Sequence, residues 1–438
     1  MSGKPTRTRY WMLFVICIFY FITYLDRVSI SVTAPSMMKD FSLNKFEMGL
    51  ILSAFVWPYA LCQIPSGMLG DRFGPRKVLS LLVIWWSFFT AATGLAWNFV
   101  SLALVRLMFG AGEAGAMANA NRAFSRWLPA TDRGFANGIT HSFSRVASAA
   151  TPPIAVAVMV LWGWRSVFYI FALVGIVWAV FWYIWYRDTP AEFNQRWGAV
   201  MNQAEMDLID GGRKEPKAVK AIPVARLLRS KNLWILGMSD FMYSYAFWIY
   251  LAWLPTYLVE ARGFTLLKMG IFASLPMLAG AVGDTAGGWI SDKLLQYTKS
   301  PKLARRSVPM FGLIVAAMLM TPGGITDSPY LAVGLLTGGL FCLEMAIANY
   351  YTVALDVAQD SAGSAVGMVS CLGNIGSAVS PMVFGAIVQF SNSWALPFVI
   401  ASVILLVGAA LWMWVDPSLS LEEELATLDR RRGTAVRA

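Results

Sequence analysis

Residues 11–33 read WMLFVICIFYFITYLDRVSISVT, an apolar run whose only charges are the adjacent Asp26 and Arg27. About 20 apolar residues suffice to cross the hydrocarbon core of a bilayer, so this stretch predicts a membrane-spanning helix. A charge at the centre of such a helix costs about 2.5–3.5 kcal/mol on insertion scales, and it persists mainly where it has a function or a partner. The same half of the chain contains further ionisable residues in apolar segments: Arg106, Glu113, His141 and Arg145. This pattern favours a transporter or a channel.

The composition of the 438-residue chain excludes an ordinary soluble domain, because 57% of its residues are hydrophobic, 14% are charged and the mean hydropathy is +0.57. The apolar runs along the chain predict an all-α membrane protein with twelve transmembrane helices in two six-helix bundles. The bundles are expected at 1–190 and 232–416, with a cytoplasmic linker at 191–231 and a cytoplasmic tail at 417–438. The predicted helices are 11–33, 48–69, 78–96, 100–121, 134–158, 166–186, 232–257, 267–290, 307–322, 330–353, 365–389 and 394–415.

The distribution of basic residues predicts the orientation of these helices. With both termini in the cytoplasm, 27 of the 35 Lys and Arg residues fall in cytoplasmic segments and five in outer loops. This is the asymmetry that the positive-inside rule requires. The net charge of +10 is therefore a signal of topology, with the lipid bilayer as the partner, and it does not indicate nucleic-acid binding.

A charged loop motif occurs once in each half of the chain. The stretch after the second predicted helix reads GMLGDRFGPRK and includes Gly67, Asp71, Arg72, Gly74 and Arg76. A weaker copy, GWISDK at 288–293, places Asp292 221 residues after Asp71, and the same offset carries the first predicted helix onto the seventh. The chain is therefore predicted to contain two parallel six-helix repeats.

This loop resembles the signature of the major facilitator superfamily, whose substrate site lies between two such repeats near the membrane midplane. In that superfamily the loop forms charged contacts on the cytoplasmic face that break and reform between states. A narrower resemblance is carried by YLDR at 24–27, RLMFGAGEA at 106–114 and the NR, WLP and Arg133 that follow. These residues resemble the anion:cation symporter family, which includes bacterial sugar-acid permeases, sialin and the vesicular glutamate transporters. The resemblance implies that Arg27 binds a substrate carboxylate and that Asp26 and Glu113 carry protons.

Helix geometry gives an independent estimate of where these charges lie. With a rise of 1.5 Å per residue, Asp26 and Arg106 both lie about 6–7 Å to the outer side of the membrane centre, which makes an ion pair between them plausible. Glu113 lies near the centre and has no basic neighbour on its own helix. Arg27 presents a planar fork suited to a carboxylate, and without substrate it needs Glu113 or water as a partner. Alternatively, Arg27 extends outward to the membrane interface.

Other polar residues are candidates for substrate contact. His141 and Arg145 are four residues apart and share a helix face, with His141 either a proton relay or a hydrogen-bonding wall residue. Arg145 either contacts the substrate or pairs with an acid across the two halves. Asp240, Asp284 and Glu344 have no predicted role. Residues that could bind a polar substrate end, or else only bridge helices, are Tyr59, Asn349, Tyr350 and Asn374.

The predicted function is proton-coupled uptake of a small organic anion, most consistent with a sugar acid, by a monomer in a bacterial inner membrane. No nucleotide, metal or hydrolase motif is present, so we expect no enzyme activity and no cofactor, with an ion gradient as the energy source. The rival hypotheses are a phosphate-ester exchanger, which would require a cation in the seventh helix, and a transport-inactive sensor of sugar acids. A drug/proton antiporter is disfavoured because the fifth helix has no Gly-Pro pair.

Overall fold

The computed structural model describes residues 4–211, 224–358 and 361–435, and this part of the chain contains helices but no strand. Within these described ranges, ten spans are long and apolar enough to cross a membrane, and four of them are pairs of consecutive helices. α12 has 30 residues but is not one of these ten spans, and α19 is shorter, with 17 residues. The helices are α1 (Thr8–Phe41), α2 (Lys45–Ala54), α3 (Val56–Phe73), α4 (Pro75–Gly94), α5 (Phe99–Glu113), α6 (Ala116–Trp127), α7 (Arg133–Trp162), α8 (Trp164–Trp185), α9 (Pro190–Trp197), α10 (Gln203–Gly211), α11 (Val224–Leu227), α12 (Lys231–Glu260), α13 (Leu266–Phe272), α14 (Ser274–Thr298), α15 (Pro301–Ile325), α16 (Pro329–Glu344), α17 (Ile347–Val357), α18 (Ala362–Ser391), α19 (Ala395–Leu411) and α20 (Leu421–Ala435).

Each of the twelve predicted segments coincides with one of these helices or with a broken pair. Two of the breaks have a local cause in proline, which has no N–H and cannot bond to the carbonyl four residues earlier. Pro58 leaves the carbonyl of Ala54 at the end of α2 without this bond, and Pro276 does the same for Phe272 at the end of α13. These breaks were not predicted from hydropathy, because hydropathy does not register the loss of a single backbone bond.

The chain folds as two compact units, Met1–Lys217 with Leu266–Ser274, and Ala218–Thr265 with Leu275–Ala438. In the first unit α1 packs against α7, and α4 packs against α8 and α5. In the second unit α12 packs against α18, and α15 packs against α19 and α16. The same set of pairings therefore occurs in each unit, as expected for two copies of one six-helix repeat.

One unit boundary falls within a predicted helix. Residues 266–274, the beginning of the eighth predicted helix, belong to the first unit, where α13 packs on α7. A Cβ atom on Gly270 would lie 3.1 Å from Cβ of Val156, so the glycine permits this close approach.

The first unit ends with a short helix that returns to its beginning. Glu205 of α10 is completely buried, and its Oε2 accepts hydrogen bonds from Thr6 Oγ1 at 2.5 Å and from the Thr8 amide at 3.3 Å. Its Oε1 accepts from the Arg9 amide at 3.1 Å and from Arg9 Nη1 at 3.0 Å. Since the first amides of a helix have no partner within the helix, Glu205 acts as the N-terminal cap of α1.

The second unit repeats this arrangement with a helix from the C-terminal end of the chain. Glu424 of α20 accepts hydrogen bonds from Ser230 Oγ at 2.5 Å and from the Asn232 amide at 3.1 Å, at the beginning of α12. Asp429 of the same helix pairs with Arg229 at 2.6 Å and with Arg226 at 3.2 Å. The predicted linker and tail thus contain helices that close their own units, although residues 212–223 and 436–438 lie outside the described part of the chain.

Candidate functional site

The central polar contact of the first unit joins Arg27 of α1 to Glu113 at the end of α5. Arg27 Nε donates to Glu113 Oε1 at 3.0 Å, and Arg27 Nη2 donates to the same oxygen. The Glu113 side chain has no solvent exposure and that of Arg27 only 9%. Glu113 is thus the partner of Arg27, one of the two that the sequence suggested for an empty site, and Arg27 does not extend toward the membrane interface.

Aromatic rings surround the guanidinium of this pair. The Arg27 Cζ atom lies 4.8 Å from the ring centroid of Tyr24 and 5.0 Å from those of Phe55 and Tyr59. Electron-rich ring faces attract a cation, and their bulk keeps water away from it. Tyr59, predicted from sequence as a substrate contact, is therefore brought beside Arg27. The other two rings were missed, because an aromatic residue in an apolar helix carries no signal that separates it from ordinary packing.

Asp26 and Arg106 do not form the predicted hydrogen-bonded ion pair. Asp26 is 1% exposed, and both of its carboxylate oxygens are buried without a hydrogen-bond partner. Arg106 lies near enough to interact electrostatically, but its Cζ atom stacks 4.4 Å from the Phe109 ring centroid. The depth estimate was consistent with a pair, but the described part of the chain shows no hydrogen bond between the two side chains.

The fifth predicted helix, α7, carries His141 and Arg145. His141 is exposed, and its ring lies 6.2 Å from that of Tyr20 on α1. Arg145, one turn further along, is half-buried. The first unit therefore places two further nitrogen-bearing side chains on a helix that packs against the helix of Arg27.

Asn349 is buried beside the second loop motif, whereas the sequence suggested that it could contact the substrate. It is 1% exposed, and its Oδ1 accepts a hydrogen bond from Ser291 Oγ at 2.7 Å. Arg305 Nη1 donates to the same hydroxyl at 3.0 Å and to Asp292 Oδ1 at 2.8 Å. The expectation that Asn349 contacts a substrate is therefore not supported, because its amide oxygen belongs to the network beside the second loop motif.

Tyr350 is also buried in the protein interior. It has no solvent exposure, its hydroxyl shares a 2.9 Å hydrogen bond with Ser239 Oγ, and its ring lies 5.1 Å from that of Trp412. These contacts fit a residue that bridges helices, the alternative considered from sequence, better than a substrate contact. Asn374 of α18 is half-buried and makes no side-chain hydrogen bond with the described residues.

Three acidic residues without a predicted role lie in the second unit. Asp240 of α12 is 1% exposed and its Oδ1 has no hydrogen-bond partner. Glu344 at the end of α16 has no exposure, and its Cγ lies 3.1 Å from a Cβ built on Gly280. Asp284 of α14 is half-buried.

The first loop motif forms a charged cluster at one end of its unit. Asp71 pairs with Arg122, and the backbone amide of Arg76 donates to Asp188 Oδ1 at 3.0 Å. Gly74 has φ +80°, a conformation that favours glycine, and a Cβ there would overlap the Asp188 carboxylate. Arg72, by contrast, is exposed and stacks on Phe73.

Residues outside the motif complete this cluster. Arg126 Nη1 lies 3.2 Å from Asp188 Oδ1, and burial raises the pKa of the Asp188 carboxyl although Arg76 and Arg126 oppose that effect. Asp188 was not predicted as a functional residue, because its only signal in the sequence was its position shortly after the sixth predicted helix.

The two loop motifs share one packing relationship. Ser66 O and Gly115 O accept hydrogen bonds from Asn119 Nδ2 at 3.2 and 2.8 Å, and a Cβ on Gly70 would overlap Asn119 Oδ1. In the second unit the residue before the aspartate is Ser291, which bonds to Asn349. Each motif therefore places an asparagine against the residue that precedes its aspartate. Beside the first motif, a Cβ built on Gly67 would lie 3.7 Å from Cβ of Ala118.

Comparison with known proteins agrees with these features. The family model described as Major Facilitator Superfamily matches residues 16–362 and 300–432. The chain is 38% identical over 418 residues to a probable sulfoacetate transporter of Cupriavidus necator, which covers 95% of this chain and 96% of that protein. It is 30% identical over 383 residues to a hexuronate transporter of Bacillus subtilis, covering 87% of this chain and 88% of that one.

A solved structure shares the fold. The inward-facing, unoccupied form of a bacterial homologue of the human lysosomal transporter Spinster superposes with a TM-score of 0.78 at 21% identity, covering 94% of this chain and 98% of that one. Together with the apolar spans, these likenesses indicate a multi-pass membrane protein that transports and is not an enzyme. The chain belongs to the major facilitator superfamily, and its relatives are transporters of sugar acids and similar organic anions.

Proposed function

We propose that this protein is a proton-coupled symporter that takes up a small organic anion by alternating access. The observation that carries the proposal is the buried pair of Arg27 with Glu113, in which Oε2 of Glu113 has no partner. A guanidinium that is hydrogen-bonded to a single carboxylate oxygen can bind an incoming anion in place of that carboxylate. Asp26, Arg106 and the loop cluster would complete the proton pathway and the gate.

Charge balance explains how anion and proton would be coupled. With no substrate, Arg27 and Glu113 form a neutral pair. A substrate carboxylate or sulfonate that replaces Glu113 on Arg27 leaves an unpaired carboxylate in a buried site, at a cost of several kcal/mol. A proton on Glu113 removes that cost and restores neutrality, so binding of the anion would require a proton on Glu113.

The relatives support a substrate class without fixing the substrate. Sulfoacetate and a hexuronate each carry a carboxylate, and both names come from proteins that match most of this chain. The carboxylate would bind at Arg27 beside Tyr59. The second polar or acidic group would face His141 and Arg145 on α7.

The remaining parts of the proposal concern topology and energy. Both termini would lie in the cytoplasm of a bacterial cell, with twelve helices crossing the inner membrane and Asp71 and Asp292 on the cytoplasmic face. The protein would function as a monomer. The proton gradient would supply the energy, with no bound cofactor.

Uptake into proteoliposomes tests this function. Purified protein is reconstituted, and radiolabelled sulfoacetate and galacturonate are offered with and without an inward proton gradient. We expect accumulation only with the gradient, together with alkalinisation of the external medium. Accumulation that requires internal phosphate and ignores the gradient would identify an exchanger, and binding without movement would identify a sensor; either result refutes the proposal.

A further inference from the structure

Asp240 is a carboxyl group inside the second unit that the mechanism above does not use. It lies near the first third of α12, is 1% exposed, and has one oxygen buried with no hydrogen-bond partner. Buried polar atoms almost always have a partner, and an acidic side chain within a membrane span is expensive. Its presence therefore calls for a function.

The neighbouring helix is shaped to accept this carboxyl. Gly373 of α18 faces it, and a Cβ built there would overlap Asp240 Oδ2 and lie 3.0 Å from Asp240 Cγ. The hydroxyl of Ser244, one turn along α12 from Asp240, lies 3.1 Å from the same point. Any residue larger than glycine at 373 would push the carboxyl out of this position.

No cation compensates for the charge that Asp240 would carry if ionised. Its oxygens form no ion pair among the described residues, and the residue is 1% exposed. α18 and α19 contain no charged residue. Ionisable groups on the other helices packed against α12 are Tyr350, Tyr351 and Asp356 on α17 and Tyr330, Cys342 and Glu344 on α16; α11, which packs against α18, carries Arg226.

None of those groups neutralises a carboxylate at Asp240. The Tyr350 hydroxyl shares a hydrogen bond with Ser239. Asp356 Oδ2 lies 3.8 Å from Arg305 Nε, and Arg226 pairs with Asp429. Tyr351, Tyr330, Cys342 and Glu344 are neutral or acidic, and so offer no positive charge. The setting contrasts with that of Glu113, whose carboxylate has a guanidinium partner.

We propose that Asp240 is a second proton-binding site, located in the opposite repeat from Glu113, and that it holds an un-ionised carboxyl group in this conformation. The ligand is a single proton, which adds to the carboxylate and leaves it when water reaches the group. Since no anion competes for it, the proton would bind whether or not substrate is present. Its role in transport rests on the proposed symport, where a second proton would balance the second charge of a dianionic substrate.

Infrared spectroscopy tests the site without any transport assay. The spectrum of the purified wild-type protein at neutral pH is compared with that of Asp240→Asn, a nearly isosteric change. We expect wild type to show a C=O stretching band of an un-ionised carboxyl that Asp240→Asn lacks. Asp207→Asn, a change at an exposed carboxylate, is the matched control and should leave this band in place. A band of equal strength in Asp240→Asn would overturn the proposal.

Gly373→Ala gives a second test that keeps the carboxyl group. The added methyl group must displace Asp240, so we expect the band to shift in frequency or to be replaced by carboxylate absorption. Gly367→Ala, on the same helix with open space around it, should leave the band unchanged. An unaltered band in Gly373→Ala would show that the un-ionised group lies elsewhere.

The coupling ratio tests the role in transport. Protons carried per anion are obtained from the reversal potential in proteoliposomes, and we expect Asp240→Asn to lower the ratio by one while the anion still binds. An unchanged ratio alongside a lost infrared band would refute the transport role. If wild type moves anions without protons but retains the band, symport fails while the proton site stands, so the two proposals are separable.

Discussion

Both hydrogen bonds that Arg27 donates to Glu113 end on the same oxygen, Oε1, while Oε2 of Glu113 is buried without a partner. A proton can therefore add to Oε2 before either bond to Arg27 is broken. Once protonated, the carboxyl attracts the guanidinium less strongly, and Arg27 becomes available to an anion. In the proposed symport this order makes the proton the first ligand to bind.

Glu113→Gln should separate exchange from accumulation. The amide oxygen can still accept from Arg27, but the side chain can no longer take up a proton. We expect labelled anion to exchange across the membrane at a rate within about tenfold of wild type, with no accumulation under a proton gradient. Glu192→Gln, at an exposed position on α9, is the control. Full accumulation by the Glu113 variant would remove this residue from the coupling mechanism.

Arg27→Lys should weaken anion binding although it keeps the positive charge. An ammonium group cannot reproduce the planar fork or its stacking among Tyr24, Phe55 and Tyr59. Loss of a charge-assisted hydrogen bond is worth about 1.5–3 kcal/mol, or roughly a tenfold to hundredfold increase in Kd. Binding is measured by calorimetry, with Arg165→Lys at an exposed ion pair as control. Unchanged affinity would mean that Arg27 has only a structural role.

Gly70→Ala should impair the first loop cluster. The new methyl group would overlap Asn119 Oδ1, and overpacking of this kind costs about 1–3 kcal/mol. We expect a lower melting temperature and slower transport, since the hydrogen bonds from Asn119 to Ser66 and Gly115 must shift. Gly138→Ala meets no atom within 4 Å and should be neutral or slightly stabilising. Equal behaviour of the two variants would show that the Gly70 contact is unimportant.

Glu205→Gln and Glu424→Gln should destabilise their units to different degrees. Glu205 is completely buried and accepts four hydrogen bonds, two of them from Arg9, so its loss as a carboxylate should cost about 1–3 kcal/mol. Glu424 is half-buried and accepts two, so the cost should be smaller. Thermal unfolding in detergent measures both, with the exposed Glu422→Gln as control. A larger effect at Glu424 would contradict this ranking.

Docking of α20 should weaken in acid. Hydrogen bonds from Arg229 and Arg226 lower the pKa of Asp429, so this carboxylate contributes stability above its unfolded-state pKa of about 4 and loses the contribution as the pH falls through the lower folded value. Hydrogen exchange of α20 should therefore accelerate below about pH 4. In Asp429→Asn exchange should already be faster at neutral pH, with less additional change in acid. An α20 whose protection is independent of pH in wild type would refute this linkage.

The helices and the charged residues Arg27 and Glu113 were easier to predict from the sequence than the hydrogen-bond partners of the other polar residues. Arg27 and Glu113 were identifiable because charges in apolar helices are rare, and the repeat was visible in the spacing of Asp71 and Asp292. The depth estimate did not predict that Asp26 and Arg106 form no hydrogen bond with each other.

The sequence left open whether Asn349 and Tyr350 contact substrate or bridge helices. It could not show their partners, Ser291 and Ser239, which lie on helices distant in sequence. The cap that Glu205 provides for α1 was also missed, since nothing in the local sequence links it to Thr8.

Glu205 and Glu424 have a consequence for biosynthesis. Each follows the last long helix of its unit in the chain and bonds to the first helix of the same unit. The first unit thus contains every residue that its closing contact needs by the time the ribosome has translated α10, before α12 exists. The contact between α10 and α1 can therefore form during translation, before the second half of the chain is made, and α13 joins the first unit later by packing on α7.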